Sequence, residues 1–384
     1  MTVAKHYNLT GFGSFLEKGQ ARAKSLRQLA RAKSTKHILG RDDTLQAPAT
    51  NDIISYVVNV DVGSPPTTYT LLLDSGSSNT WVGASKPFQK TSTTVETSDQ
   101  VSVSYGSGAF FGEEVIDTIS LGSGITVSNQ SIGVATQVEG LPKGFDGILG
   151  IGPVDLTVGT LDPDQNTPIP TITDNLFAQG IIQDNVATVA FAPSNDTSTT
   201  NGELTFGTPD SSKFTGSIHY APVTRTSPSS SFWGIDQTIR YGDDTPILSA
   251  TAGVIDTGTE AILIASDAFQ RYQAATGAAP DDETGFLSIT TAQYANLKSL
   301  FFNIGGTDFE LVPNAQIWPR ALNTAIGGDN DHVYLIIGDL GTESGQGMDF
   351  INGMPFLERF YTVFDTGNRQ IGLATTPFTN ATAN

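Results

Sequence analysis

The chain has 384 residues, 38% hydrophobic and 15% charged, which is enough apolar material for packed cores and excludes a disordered polymer. Cysteine is absent, so disulfides and thiolate chemistry are ruled out, and no run of about 18 apolar residues exists to cross a membrane. The net charge of −19 is split, with nine Lys/Arg against three acids in residues 1–48 and 11 basic against 36 acidic residues beyond them; such a body repels nucleic acid and attracts its own basic head.

The first element is a helix predicted over residues 14–36, SFLEKGQARAKSLRQLARAKSTK, on which Phe15, Leu16, Leu26, Leu29 and Ala30 could share a face among lysines and arginines. A solvated basic arm and a membrane-surface helix are its alternative readings; the small, alanine-rich apolar face counts against the second. The segment lacks the apolar core of a secretory signal, so any such signal is expected to have been removed already. Four N-x-S/T triplets, at Asn8, Asn129, Asn195 and Asn380, are compatible with secretion.

After about Ala47 the texture changes to short β-branched runs separated by Gly, Pro, Asn and Ser turns: ISYVVNVDVG, YTLLLDSG, VSVSYGSG and VIDTISLG. A polar stretch, Ser194–Gly202, reads as a linker. Strands GELTFG, SIHYAPV, GVIDTG, FFNIGG, VYLIIGD and YTVFDTG follow, with short helices expected at Asp267–Thr276 and Thr291–Leu300. The fold class is therefore all-β with a few short helices. The length favours two lobes: a basic head over 1–48, a first lobe over 49–193 and a second over 194–384.

One pattern occurs twice. LLLDSGSSNTWVG around Asp74 and AGVIDTGTEAILIA around Asp256 each run apolar, Asp, hydroxyl, Gly, hydroxyl, apolar, 182 residues apart. A single D-[ST]-G is most often a surface turn; the doubling suggests that two related lobes each bring one aspartate to a shared cleft. Two adjacent carboxylates cannot both ionise freely, so one is held as an acid while the other acts as a base. That pairing suits amide hydrolysis at acid pH, with one group deprotonating water and the other polarising the carbonyl. Ser75, Ser77, Thr257 and Thr259 can bond the carboxylates without adding charge, and Gly76 and Gly258 permit the tight turn. A third D-T-G, Asp365–Gly367, has Asn368 in place of the second hydroxyl and reads as a hairpin turn. There is no His-Glu-x-x-His helix, no metal-spaced cluster, no G-x-S-x-G elbow and no phosphate loop, so neither metal nor cofactor is expected.

These residues resemble the pepsin-like aspartic proteases, over nearly the whole chain after residue 48. The segments that carry the likeness are DSGSSNTWV, VSVSYGSG, FDGILG, GVIDTGT and Tyr361–Ala374. The resemblance implies a bilobal fold with a central inter-lobe sheet and catalytic roles for Asp74 and Asp256. It also implies a flap tyrosine at Tyr105 bonded to the Trp81 indole, and substrate contacts from Leu72, Gly106 and Ser107. Ser107 stands where some fungal relatives carry an aspartate, so large apolar residues rather than basic ones are expected at the cut. KSLRQ (Lys24–Gln28) is similar to a propeptide segment, which implies a secreted zymogen activated by acid, with Lys36 the candidate to sit between the aspartates and maturation between about His37 and Ala49. The implied partners are polypeptide substrates, the chain's own propeptide and pepstatin-type inhibitors, with the protein a monomer. Two departures stand out: Glu260 follows DTGT where relatives usually carry Ser or Thr, and FINGMPFL lies near the C-terminus. A non-catalytic relative is disfavoured by the two intact aspartate motifs. A glycoside hydrolase, which also uses two carboxylates, is disfavoured by their matched strand–turn settings and by the presence of only three tryptophans.

Overall fold

A computed structural model describes residues 1–7, 15–35, 54–105, 108–122, 124–141, 144–196 and 198–384. The first half contains β1 (Thr2–Tyr7), α1 (Phe15–Thr35), β2 (Ile54–Val62), β3 (Thr67–Asp74), β4 (Thr80–Val82), β5 (Val95–Ser104), β6 (Ala109–Ser120), β7 (Thr126–Glu139), β8 (Gly147–Gly150), β9 (Leu161–Asp162), α2 (Ile172–Ala178) and β10 (Val186–Ala190). The second contains β11 (Ser198–Phe206), β12 (Thr215–Pro222), β13 (Gly234–Tyr241), β14 (Thr245–Ile255), β15 (Ile262–Ile264), α3 (Ser266–Thr276), β16 (Ala279–Pro280), β17 (Leu287–Thr290), α4 (Thr291–Tyr294), β18 (Leu300–Ile304), β19 (Thr307–Leu311), β20 (His332–Leu335), β21 (Ile337–Asp339), β22 (Phe350–Asn352), α5 (Met354–Leu357), β23 (Phe360–Asp365) and β24 (Gln370–Thr375). The protein is mostly β, as its β-branched runs require, and no described helix is long and apolar enough to cross a membrane.

The two halves share a strand plan that places the aspartates. In the first, β3 runs parallel to β8, β8 antiparallel to β4, and β4 parallel to β7. In the second, β14 runs parallel to β22, β22 antiparallel to β15, and β15 parallel to β21. Asp74 ends β3 and Asp256 directly follows β14, so the same step of the same plan delivers each carboxylate. Along β3 the side chains alternate: Tyr69, Leu71 and Leu73 go into the core, while Leu72 points to the other face. The first plan depends on close backbone packing at Gly147, where a side chain would strike the Trp81 carbonyl.

A 14-stranded sheet joins the halves. At its middle β10, β11, β1, β2 and β3 lie side by side, and β23, β24 and β12 continue it from the C-terminal part. The expected linker at Ser194–Gly202 is corrected here. Thr199 and Thr200 lie in β11, opposite Lys5 and Ala4 of β1, while the β10 side of the same strand pairs Ala190 with Glu203. Polar composition suggested a loop, but neighbouring strands supply the main-chain partners, and β-branched threonine suits a strand. The helix expected at Thr291–Leu300 is also shorter. A reciprocal Thr290–Gln293 capping box starts it, but it ends at Tyr294, and Leu300 already pairs with Tyr241. The third D-T-G forms the turn between β23 and β24, where Asn368 donates its backbone and side-chain N–H groups to Asp365.

Candidate active site

The two aspartates meet in nearly identical cradles. Gly76 N–H donates to Asp74 Oδ1 at 3.0 Å and Gly258 N–H to Asp256 Oδ1 at 3.0 Å. Ser77 Oγ donates to Asp74 Oδ2 at 2.5 Å, and Thr259 Oγ1 to Asp256 Oδ2 at 2.7 Å. Both carboxylates are buried, at 1% and 0% exposure, so these donors replace the water they have lost. Gly76 and Gly258 each face the opposite aspartate so closely that a Cβ at either would collide with its carboxylate or with Arg22.

Ser75 and Thr257 do not bond the carboxylates, and that expectation is corrected. The residue after each aspartate turns away from it and meets its counterpart across the pseudo-symmetry. Ser75 N–H donates to Thr257 Oγ1 at 2.8 Å, Thr257 N–H donates to Ser75 Oγ at 2.9 Å, and Thr257 Oγ1 donates to the Leu73 carbonyl at 2.9 Å. The pair ties the two turns together and so fixes the spacing of the carboxylates.

Tyr105 follows β5 at the tip of the β5–β6 hairpin, with its N–H on the Gly108 carbonyl at 2.6 Å. The Trp81 Nε1–H donates to Tyr105 Oη at 2.8 Å, and the indole stacks on Phe110 with centroids 4.4 Å apart. Burial, with the nearby Asp74 charge, holds the Tyr105 phenol far above its ordinary range, so it stays neutral. Tyr105 and Leu72 line a pocket beside the dyad, together with Phe145 and Ile148. Gly106 and Ser107 lie outside the described residues.

A cation from the basic head fills the centre of the site. Arg22, on α1, places Nη2 2.5 Å from Asp74 Oδ1 and 3.2 Å from Asp256 Oδ1, with Nε 3.0 Å from Asp256 Oδ2. Burial opposes its charge, but the two carboxylates more than compensate and raise its pKa further. The aspartates respond unequally. Burial and the Asp256 charge push Asp74 up despite Arg22, whereas at Asp256 the two contacts from Arg22, with Thr259 and Gly258, overcome burial and hold the group below its ordinary range.

The helix docks through a stripe of small and apolar side chains. Ala23, Leu26 and Ala30 are buried, and Leu29 packs against the same core. Gly19 meets Leu263, whose Cδ1 would lie 2.8 Å from an added Cβ. Gln20 Nε2 donates to the Asp339 carbonyl at 3.1 Å and Arg27 Nη2 to the Met348 carbonyl at 3.1 Å. Lys36 lies outside the described residues, and the position between the aspartates belongs to Arg22, which sequence reasoning passed over. The signal was present: Arg22 interrupts the stripe of Gly19, Ala23, Leu26 and Ala30 at helical spacing, and a cation on a packing face needs an acidic partner.

Among the described residues no group of His, Asp and Glu could hold a metal ion. Two carboxylates cradled by hydroxyl and amide donors, beside a hairpin bearing a neutral tyrosine, form an arrangement suited to acid–base hydrolysis. The comparisons with known proteins agree: the model for eukaryotic aspartyl proteases matches residues 55–376, and the chain belongs to that family.

Among its relatives, polyporopepsin of Irpex lacteus is 65% identical over 337 residues, covering 88% of this chain and 98% of the relative. Cathepsin E of Rattus norvegicus is 31% identical over 87% of this chain and 83% of its own length. The crystal structure of the aspartic proteinase from Irpex lacteus superposes with a TM-score of 0.84 at 65% identity, over 86% of this chain and 96% of that one. The protein is an aspartic-type endopeptidase with a pepsin-like fold.

Proposed function

We propose that this chain is the zymogen of a secreted, acid-active endopeptidase in which Asp74 and Asp256 are the catalytic pair and residues 1–48 are the inhibitory head. The observation that carries this reading is the single guanidinium of Arg22 bridging both carboxylates. While it is there, neither carboxylate can activate water, and α1 covers the place a peptide must occupy.

Once the head leaves, the pair shares a proton. The ionised carboxylate takes a proton from a water molecule as its oxygen attacks the scissile carbonyl carbon, and the protonated one donates to the carbonyl oxygen. The resulting diol collapses with cleavage of C–N: the leaving nitrogen receives the proton taken from water, and one diol hydroxyl returns its proton to the other aspartate as the new C=O forms. Ser77 and Thr259 hold the outer oxygens so that the inner ones face the substrate. An extended peptide lies under the Tyr105 hairpin, with main-chain groups bonded to backbone and alternate side chains in pockets. The apolar lining by Leu72, Phe145 and Ile148 favours a large apolar residue at the cut.

The reading divides the molecule into head, first lobe and second lobe, with peptides, the head itself and pepstatin-type inhibitors as partners of a monomer. Removal of the head also takes β1 out of the central sheet and leaves β2 and β11 without their shared neighbour. That gap must be refilled by another segment for the sheet to stay closed.

The test is incubation of the full chain near pH 3.5 with a denatured protein, with and without pepstatin, while mass spectrometry follows the N-terminus. Pepstatin-sensitive cleavage with loss of the head is expected, and Asp74→Asn should lower turnover by about 10⁴-fold with the fold intact. A folded protein that neither cleaves nor loses its head, or an Asp74→Asn variant of normal rate, overturns the proposal.

A further inference from the structure

We propose that Glu260 makes this enzyme select a basic side chain two residues along from the apolar residue at the cut, on the same side of the scissile bond. The inference rests on the proposed catalytic pair and adds a second specificity determinant to the apolar pocket.

Glu260 is half-buried and lines the same pocket as Leu72, Tyr105, Phe145 and Ile148. Around that pocket the described acids are Asp74, at the dyad, and Glu260. Its wall therefore combines apolar side chains with a second carboxylate, one residue on from Thr259. Both cations lining the pocket, Lys18 and Arg22, come from α1 and leave with the head.

Distances along the two chains match. Lys18 and Arg22 are four residues apart on one helix face, about 6 Å at 1.5 Å per residue. Two residues of an extended peptide span roughly 6.6 Å and put both side chains on the same face. With Arg22 marking the place of the side chain at the cut, Lys18 marks the place of the side chain two residues along. The basic head thus already presents a lysine where the proposed substrate preference lies, and an ammonium or guanidinium there gains the Glu260 charge without losing the apolar contact at the cut.

The experiment uses enzyme obtained by acid treatment of the full chain, assayed at pH 5, above the ordinary range of a glutamate. Peptides of one sequence, with an apolar residue on each side of the cut, carry Lys, Gln or Glu in turn at every other position from four before to three after. Lys is expected to exceed Gln in kcat/KM by about fivefold at one position only, two residues along from the apolar residue at the cut, the size of one partly exposed ion pair. Glu260→Thr should bring that Lys/Gln ratio to about one, and Glu260→Lys should favour the Glu peptide. The ratio is taken within each variant, so a general loss of activity does not affect it. A wild-type ratio near one, a preference at another position, or a ratio that persists in Glu260→Thr overturns the proposal while leaving the catalytic reading in place. Failure to cleave any peptide, the Gln series included, overturns the catalytic reading and this one with it.

Discussion

Replacing Arg22 by alanine removes the one group, among the described residues, that bonds both Asp74 and Asp256. Taking one partner from a buried charge pair costs about 3–5 kcal/mol. Water returning to the cleft re-solvates Asp74 and Asp256 and reduces the net effect to about 2–3 kcal/mol. The packing of Ala23, Leu26 and Ala30 and the Gln20 and Arg27 contacts remain, so α1 stays docked but opens more often, by roughly 30- to 150-fold. The pH dependence follows from Asp256, which Arg22 holds below its ordinary range in the closed form. A depressed carboxylate stabilises the closed form above its open-state pKa, and that stabilisation is lost as pH falls through the lowered value. Without Arg22 the depression of Asp256 disappears and opening occurs at higher pH. The assay titrates the intact chain from pH 6.5 to 3, following head loss by mass spectrometry and cleavage of a quenched peptide. Arg22→Lys should fall between wild type and Arg22→Ala, since an ammonium keeps the charge but not the planar fork. A folded Arg22→Ala chain that keeps its head and stays silent down to the wild-type midpoint refutes the reasoning.

Two further substitutions test the frame around the dyad. Trp81→Phe deletes the 2.8 Å bond to Tyr105 Oη and should cost about 1–2 kcal/mol in denaturant unfolding and about tenfold in kcat/KM, because the hairpin tip loses its anchor; unchanged values in both measurements would show that the bond does not position the tyrosine. Thr257→Val keeps the shape but strands the Ser75 N–H and the Leu73 carbonyl, for about 2–4 kcal/mol of stability, whereas Thr257→Ser should restore most of it; equal stability of the two variants in urea would refute a tie between the turns.

The fold was legible wherever one face of a strand is buried. The alternation in YTLLLD marks Leu71 and Leu73 as core, and the same run leaves Leu72 on the face that lines the pocket. The doubled aspartate motif was legible for a deeper reason: each copy closes the same strand plan, so the repeat in sequence is a repeat in topology. Tertiary partners decided the rest. Thr199 and Thr200 look like linker until β1 is seen to supply their pairing. Ser75 and Thr257 look like supports for their own aspartates, and only the approach of the two turns shows that they bond one another. Arg22 interrupts the packing stripe of α1, but no local pattern says which acids the helix will dock against, and the resemblance pointed to Lys36 instead.

The cradles themselves are nearly equal, and that equality bears on the chemistry. Each aspartate receives one glycine N–H and one hydroxyl, at similar distances and with similar burial. Nothing in the first contacts of either carboxylate assigns it to be acid or base. The inequality in the closed form comes from Arg22, which gives Asp256 two contacts and Asp74 one, and the two groups move in opposite directions accordingly. On the proposed reading the head leaves, and the asymmetry between the two carboxylates is then set by whatever enters next. The pair then titrates as a unit rather than as two labelled residues, and the bound peptide, lying in one direction across the cleft, decides which carboxylate gives a proton and which takes one. A matched pair that is set unequal by its occupant can be silenced by a single cation and activated by a single water, because both act at the same point.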